Sequence, residues 1–335
     1  MPFLQHSSYQ KPFYLFNGHW ETIVPSAFRK IKGVTYQRER LELNDGDFLD
    51  LDWLKSTSDK LVIISHGLEG NSERHYAKGM AKYFFQQGWD ALAWNCRGCS
   101  GEMNRLPRFY HHGATEDLNA VIDHAIRLGG YTTVSLVGIS MGGSMTLKYL
   151  GENATNLHPS IKKAATFSVP CDLGSSAAEL DKPNKKFYLQ RFLKKLSKKI
   201  EAKSKVYPQK VSHAGFDEIK SFRQFDDRYT APLHGFADAH DFYTRTSALN
   251  FIPLITIPVL IANALNDPFL PDACYPYEMV RNHPFVFLET PAHGGHTGFS
   301  LAGKEENWME VRAFEFISVG SSPNRWLQTK GFSPS

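Results

Sequence analysis

Short apolar, β-branched runs alternate with amphipathic stretches along most of these 335 residues, and that alternation restricts the fold more than any other feature. When a helix separates two strands, it carries the chain back, so the strands lie parallel and the helices cover the sheet. We read strands at 38–43, 48–53, 61–65, 91–95, 134–138, 164–169, 259–263 and 285–289, the first two joined as a hairpin around Asn44, Asp45 and Gly46. Helical spacing of apolar residues fills about 73–87, 115–128, 141–151 and 304–317. The expectation is an α/β fold with a mostly parallel eight-stranded sheet flanked by helices, one domain whose core runs over about 30–170 and 249–318.

The rhythm fails between Pro170 and about Ala248, where some eighty residues contain no convincing strand. We read 171–248 as an inserted helical cap. In "NKKFYLQRFLKKLSKKIEAKSK" the residues Leu189, Phe192, Leu193, Leu196 and Ile200 recur at three- and four-residue steps, so one helix face is apolar and the other cationic. From Lys182 to Lys210 eleven Lys and Arg stand against one acid, Glu201, although the whole chain carries only +4. Such a local excess is not a nucleic-acid footprint; it reads as a solvated cationic surface, with peripheral membrane contact as the competing reading. The tail 319–335 is expected to be poorly ordered.

No apolar run approaches the roughly 18 residues a membrane helix needs, and the first residues lack the regions of a secretory signal, so the expected location is cytoplasmic, with contact at a membrane surface as the alternative. The oligomeric state is not legible. Four scattered cysteines are no disulfide framework, and Cys96 and Cys99, with Gly98 between them, read as a strand-to-loop turn rather than a redox or metal pair.

Chemistry enters after the strand "VSLV", where Gly138-Ile139-Ser140-Met141-Gly142 leads into a helical run. A serine on a sharp strand-to-helix turn exposes its hydroxyl above the sheet, and its neighbours must be glycines because side chains would collide. The helix start also offers backbone N–H groups, beginning with Met141, to a developing oxyanion. The glycines fit neither a P-loop, which needs its lysine, nor a dinucleotide fingerprint. A serine hydroxyl attacks only when a base takes its proton, so a carboxylate and a histidine are needed after later strands. Asp267 follows the strand "VLIAN", with Asp272 its nearest competitor, and "TPAHGGHTGF" follows the last strand with His293 and His296. Spacing does not separate these two histidines. A metal reading of the pair lacks further ligands. The second oxyanion donor is expected in His66-Gly67-Leu68-Glu69-Gly70, at the N–H of Leu68, with His66 bracing the loop.

Taken together, "NGHWETIVPS", "LELNDGDFLDLDW", "HGLEGNSE", "NCRGCSGEMNR", "GISMGGSM", "TAPLHGF", "SALNFIPLITIPVLIANALNDPF" and "HGGHTGF" resemble the α/β-hydrolase superfamily. More narrowly, they are similar to the group of the YheT-like hydrolases and abhydrolase-domain lipases, over about residues 17–317. The resemblance implies Ser140 as nucleophile, Asp267 as acid and His296 as base, since the group's catalytic histidine sits in a Gly-Gly-His-x-Gly-Phe context. It implies hydrolysis of carboxylic esters with apolar or lipid-type acyl groups, with acyl transfer to a small alcohol as the alternative. A non-catalytic binding protein is the least favoured class. No cofactor, metal or nucleic acid is called for; the partner is a small-molecule ester, and the cap aromatics, Phe192, Phe222, Phe225 and Phe242 among them, are candidates to line an acyl pocket.

Overall fold

The computed structural model describes Phe3, Leu4 and residues 7–318; the tail expected at 319–335 lies outside the described residues. The strands are β1 (Phe3–Leu4), β2 (Gln37–Glu42), β3 (Phe48–Leu54), β4 (Lys60–Ser65), β5 (Asp90–Asn95), β6 (Thr133–Ile139), β7 (Ile161–Phe167), β8 (Val259–Ala262) and β9 (Val286–Glu289). The helices are α1 (Gly18–Phe28), α2 (His75–Gln86), α3 (Thr115–Leu128), α4 (Met141–Glu152), α5 (Leu173–Leu180), α6 (Lys186–Val206), α7 (Phe222–Phe225), α8 (Ala231–His234), α9 (Ala239–Thr246), α10 (Tyr277–Val280) and α11 (Trp308–Ser318). All eight expected strands are present. A ninth, the two-residue β1, adds at the edge beside β9 and is too short to show any periodicity.

The sheet order is β1-β9-β8-β7-β6-β4-β5-β3-β2. Every pairing from β5 to β1 is parallel, and only β3 with β5 and the β2–β3 hairpin are antiparallel. Gly46 at φ 83° makes the hairpin turn without steric cost. The central strands are buried on both faces, which is why they read as continuous apolar runs. Leu61, Ile63, Leu92, Trp94, Val134 and Leu136 point into one core with α3 and α4. Val62, Ile64, Ala91, Ala93, Val137 and Ile139 point into the other with α2 and α11.

Chain order reverses at β4: α2 leads to β5 on one side, and α3 leads past β4 to β6 on the other. The crevice outside the carboxyl ends of β4 and β6 is therefore open to loops, the place where parallel sheets hold ligands. The loop after β4, Ser140 after β6 and the loops after β8 and β9 all converge there, and α5, α6, α7 and α9 lie over it.

The loop after β5 carries the Cys96–Cys99 pair, but its architecture depends on Arg97. This buried guanidinium meets Asp117 at 2.7 Å, Asp45 at 2.8 Å and Asp47 at 3.0 Å, tying the loop to the hairpin and to α3. Cys99 N–H donates to the Cys96 carbonyl at 2.9 Å, closing a tight turn. Burial pushes the Cys96 thiol well up and the Cys99 thiol up to about 11, so both stay protonated and poorly nucleophilic. Arg97→Ala strands buried carboxylates; we expect a loss of about 3–5 kcal/mol in unfolding free energy, read from urea denaturation, and a loss below about 1 kcal/mol would contradict this role.

Candidate active site

Ser140 ends β6 and precedes α4 with φ 56° and ψ −120°, a region L-residues rarely occupy. The surrounding glycines explain how the turn fits. A side chain on Gly142 would run into the backbone carbonyl of Ser65 at the end of β4, one on Gly138 would meet the Gly142 carbonyl, and one on Gly143 would lie 2.6 Å from Val169 Cγ2. The α4 backbone can thus approach β4, and Ser140 Oγ is held at the crevice.

His296 Nε2 lies 2.9 Å from Ser140 Oγ, and His296 Nδ1 lies 2.9 Å from Asp267 Oδ2 and 3.2 Å from Oδ1. An ionised carboxylate only accepts, so Nδ1 carries the ring proton and donates it to Asp267; Nε2 is left to accept from the serine hydroxyl. Asp267 is buried and also accepts from Phe269 N–H at 2.8 Å. The Phe269 ring stacks on the imidazole with centroids 4.0 Å apart. Asp272 is exposed at the start of a single helical turn.

His293 is placed elsewhere. Its side chain is about half exposed, with Nδ1 3.4 Å from Glu21 Oε1 and 3.3 Å from Asn266 Nδ2. Gly294 (φ 140°) and Gly295 (φ 56°) turn the chain between the two histidines; a side chain at Gly295 would lie 2.7 Å from both the Gly18 carbonyl and Thr22 Oγ1.

That turn is held by α1, a helix the strand-and-helix reading missed although "NGHWETIVPS" stood among the family-like segments. Thr22 Oγ1 accepts from His296 N–H at 2.8 Å. The fully buried Glu21 accepts from Gly294 N–H and, at 3.0 Å, from Asn266 Nδ2, while Gly295 N–H donates to Asn266 Oδ1 at 3.0 Å. The backbone before the histidine and the residue before Asp267 are thus fastened to the same helix.

In the loop after β4, His66 Nε2 accepts from Cys96 N–H at 3.1 Å, which puts the proton on Nδ1, 2.8 Å from the Gly67 carbonyl. Burial lowers its pKa to about 4, so it stays neutral as a brace. The N–H groups of Gly67 and Glu69 donate to the hydroxyls of Tyr76 and Tyr110, at 3.1 and 2.8 Å. Between them, among the described residues, Leu68 N–H has no partner, and Leu68 borders the crevice beside Ser140. Met141 N–H opens α4, where the first turn's amides have no partner within the helix.

The cationic stretch is not simply a solvated face. Lys195, Lys199 and Lys203 recur every four residues along one edge of α6 and turn inward. Lys195 Nζ donates to the Glu69 carbonyl at 2.9 Å, Lys199 Nζ meets Glu69 Oε1 at 2.8 Å, and Lys203 Nζ donates to Asn104 O at 3.2 Å. Burial lowers the Lys203 pKa to about 8. The stems pack on apolar surface while the heads reach loop carbonyls and one carboxylate, so α6 is fastened to the loop after β4.

A pocket runs from Ser140 and His296 under the helices between β7 and β8, walled by Leu173, Leu180, Phe192, Leu196, Phe222 and Phe225. Asp226 lies in its far wall, accepting from Thr230 Oγ1 at 2.5 Å and Tyr243 OH at 2.8 Å. The Asp238 and Asp241 segment starts α9, with Asp238 accepting from Asp241 N–H at 2.8 Å.

The alpha/beta hydrolase fold profile matches residues 60–302. The chain is 32% identical to YheT of Escherichia coli (strain K12) over 312 residues, 90% of this chain and 91% of that one. It is 30% identical to Phospholipase ABHD3 of Bos taurus over 298 residues, 85% and 72% of the two chains. The solved Pyrococcus furiosus esterase Pf2001 superposes with a TM-score of 0.59 at 17% identity, covering 89% of this chain and 96% of that one, a likeness of fold.

Burial raises the Asp226 pKa from 3.8 to about 7. Between those values the folded chain holds a proton the unfolded chain has released, so this group lowers stability as pH rises across that window. Asp226→Asn should remove that slope and gain stability over wild type with rising pH in chemical denaturation between about pH 4 and 8; a parallel pH dependence in both chains would contradict it.

Proposed function

This chain belongs to the alpha/beta hydrolase family, whose profile spans most of its length, and from that premise we propose that it cleaves carboxylic esters with apolar acyl groups through Ser140, His296 and Asp267. At the coarser level it is a carboxylic ester hydrolase of the esterase and lipase kind. One observation carries the finer reading: Ser140 Oγ, His296 and Asp267 form a continuous chain of 2.9 Å contacts at the mouth of an apolar pocket.

In the proposed reaction His296 Nε2 takes the hydroxyl proton as Ser140 attacks the ester carbonyl. The N–H groups of Leu68 and Met141 stabilise the oxyanion, and Asp267 fixes the tautomer and offsets the imidazolium charge. The imidazolium then protonates the leaving alcohol. Water, activated by the same histidine, releases the acid from the acyl-enzyme. The scheme requires no metal or organic cofactor. Residues 171–248 act as the cap whose apolar wall receives the acyl chain, and a buried pocket of this kind favours chains that gain from leaving water. Phospholipase ABHD3, by its name, acts on a lipid, which agrees with an apolar acyl group.

Ser140→Ala and His296→Ala should each lower kcat for p-nitrophenyl esters by about six orders of magnitude, and Asp267→Asn by about four. His293→Ala should retain activity within about threefold, as a half-exposed residue outside the contact chain. Loss of activity in His293→Ala with retention in His296→Ala would overturn the assignment. Ester exchange outrunning hydrolysis when ethanol is added would assign acyl transfer in place of hydrolysis.

A further inference from the structure

Ser140 lies between two pockets. Beside the apolar one, a second opens between α1, α6 and the loop after β4, and the two share Leu68, Ser140, Phe192, Phe269 and His296 in their walls. Their chemistry differs. The second pocket is lined by Thr22 and Ser26 of α1 and by three cations, Arg74, Arg191 and Lys195.

Arg74 Nη2 donates to Ser26 Oγ at 3.1 Å and Lys195 Nζ to the Glu69 carbonyl at 2.9 Å, both uncharged acceptors. Among the described residues none of the three forms an ion pair with a carboxylate, whereas Arg40, Arg97, Lys199 and Arg312 each do. The one carboxylate in the lining, Glu69, is engaged at Oε1 by Lys199 Nζ at 2.8 Å and by Tyr110 OH at 2.6 Å. The cations also feel one another: burial lowers the Lys195 pKa, and the charges of Arg74 and Arg191 lower it further, against an opposing pull from the Glu69 carboxylate. Three like charges gathered beside a nucleophile repel, and an anion seated among them relieves that repulsion. Two guanidinium groups further suit an oxyacid, whose oxygens they can bridge in pairs.

We propose that this pocket takes the alcohol half of the ester, and that this half carries a compact anionic oxyacid group, a phosphate or a carboxylate. The proposal rests on Ser140 and His296 acting as described above, and it divides the substrate at the scissile bond. The apolar chain lies under α5 and α7, and the charged alcohol lies against Arg74, Arg191 and Lys195. The leaving oxygen then falls where His296 Nε2 can protonate it. The acyl side of the site is then apolar and the alcohol side cationic.

Three lauroyl esters at monomeric concentration provide the test: neutral monolauroylglycerol, its phosphate monoester and the lauroyl ester of glycerate. Wild type should show kcat/KM about tenfold higher for both anionic esters than for the neutral one, shrinking as salt approaches molar strength. In Arg74→Gln/Arg191→Gln that ratio should fall towards one, the neutral ester reporting whether the variant is folded. Preference for phosphate alone or carboxylate alone would identify the source of the charge and support the pocket equally. A wild-type ratio at or below one, or an unchanged ratio in the double variant, would overturn the proposal while leaving Ser140 as nucleophile. Calorimetric binding to Ser140→Ala separates the two claims. If wild type cleaves nothing yet the anionic esters bind this variant about tenfold tighter than the neutral one, the pocket stands and the hydrolytic reading fails.

Discussion

The close approach of α4 to the end of β4 is the constraint on which the site depends. Gly142 lies against the Ser65 carbonyl with no room for a side chain, and Ser140, two residues earlier, occupies the strained turn at φ 56° that leads into this contact. Such a conformation costs about 1–3 kcal/mol and persists only where packing over-determines it. Here β6 is buried on both faces, α4 is buried along its length, and both are fixed before the serine side chain has any role. The same contact sets Ser140 beside the loop after β4, so the candidate nucleophile and its candidate oxyanion donors are positioned by one packing decision.

Two helices outside the sheet complete the arrangement by polar contacts added to their apolar packing. From α1, Thr22 and Glu21 hold the turn that carries His296. From α6, Lys195 and Lys199 hold Glu69 in the loop that carries Leu68. Glu69 itself sits at φ 52°, a second strained residue secured by a buried ion pair. Breaking such a pair is costly because it leaves one charge buried alone, so α6 cannot drift from the loop without penalty. Helix α6 and the loop after β4 are therefore coupled through Glu69.

The central strands were legible because burial on both faces writes them as continuous apolar runs, the exposed β2 was legible only through its hairpin with β3 around Asn44, Asp45 and Gly46, and Ser140 was legible because glycines flank it between a strand and a helix. Asp267 followed from chain order. The choice of His296 over His293 did not follow from spacing, since both lie on one glycine-rich turn; it rested on a resemblance, and in the structure the difference arises from Thr22 and Glu21, residues more than 270 positions away. Helix α1 was missed because Pro25 interrupts it and its exposed and buried residues do not form a clean stripe. The inward turn of Lys195, Lys199 and Lys203 was written in their four-residue spacing, but a lysine's direction depends on the acceptors opposite, Glu69 and Asn104, which only the fold brings near. The Phe269 ring over His296 likewise left no sequence mark beyond its nearness to Asp267.

The central claim is that Ser140 carries the acyl group between the two half-reactions, and the most direct measurement traps it there. After mixing with a p-nitrophenyl ester and quenching in acid within the first turnover, peptide mass spectrometry should find the acyl mass on the peptide containing Ser140, with a matching burst of nitrophenol. Turnover of the ester with no acylated Ser140 peptide at any quench time, or with the acyl mass on another residue, would contradict the account.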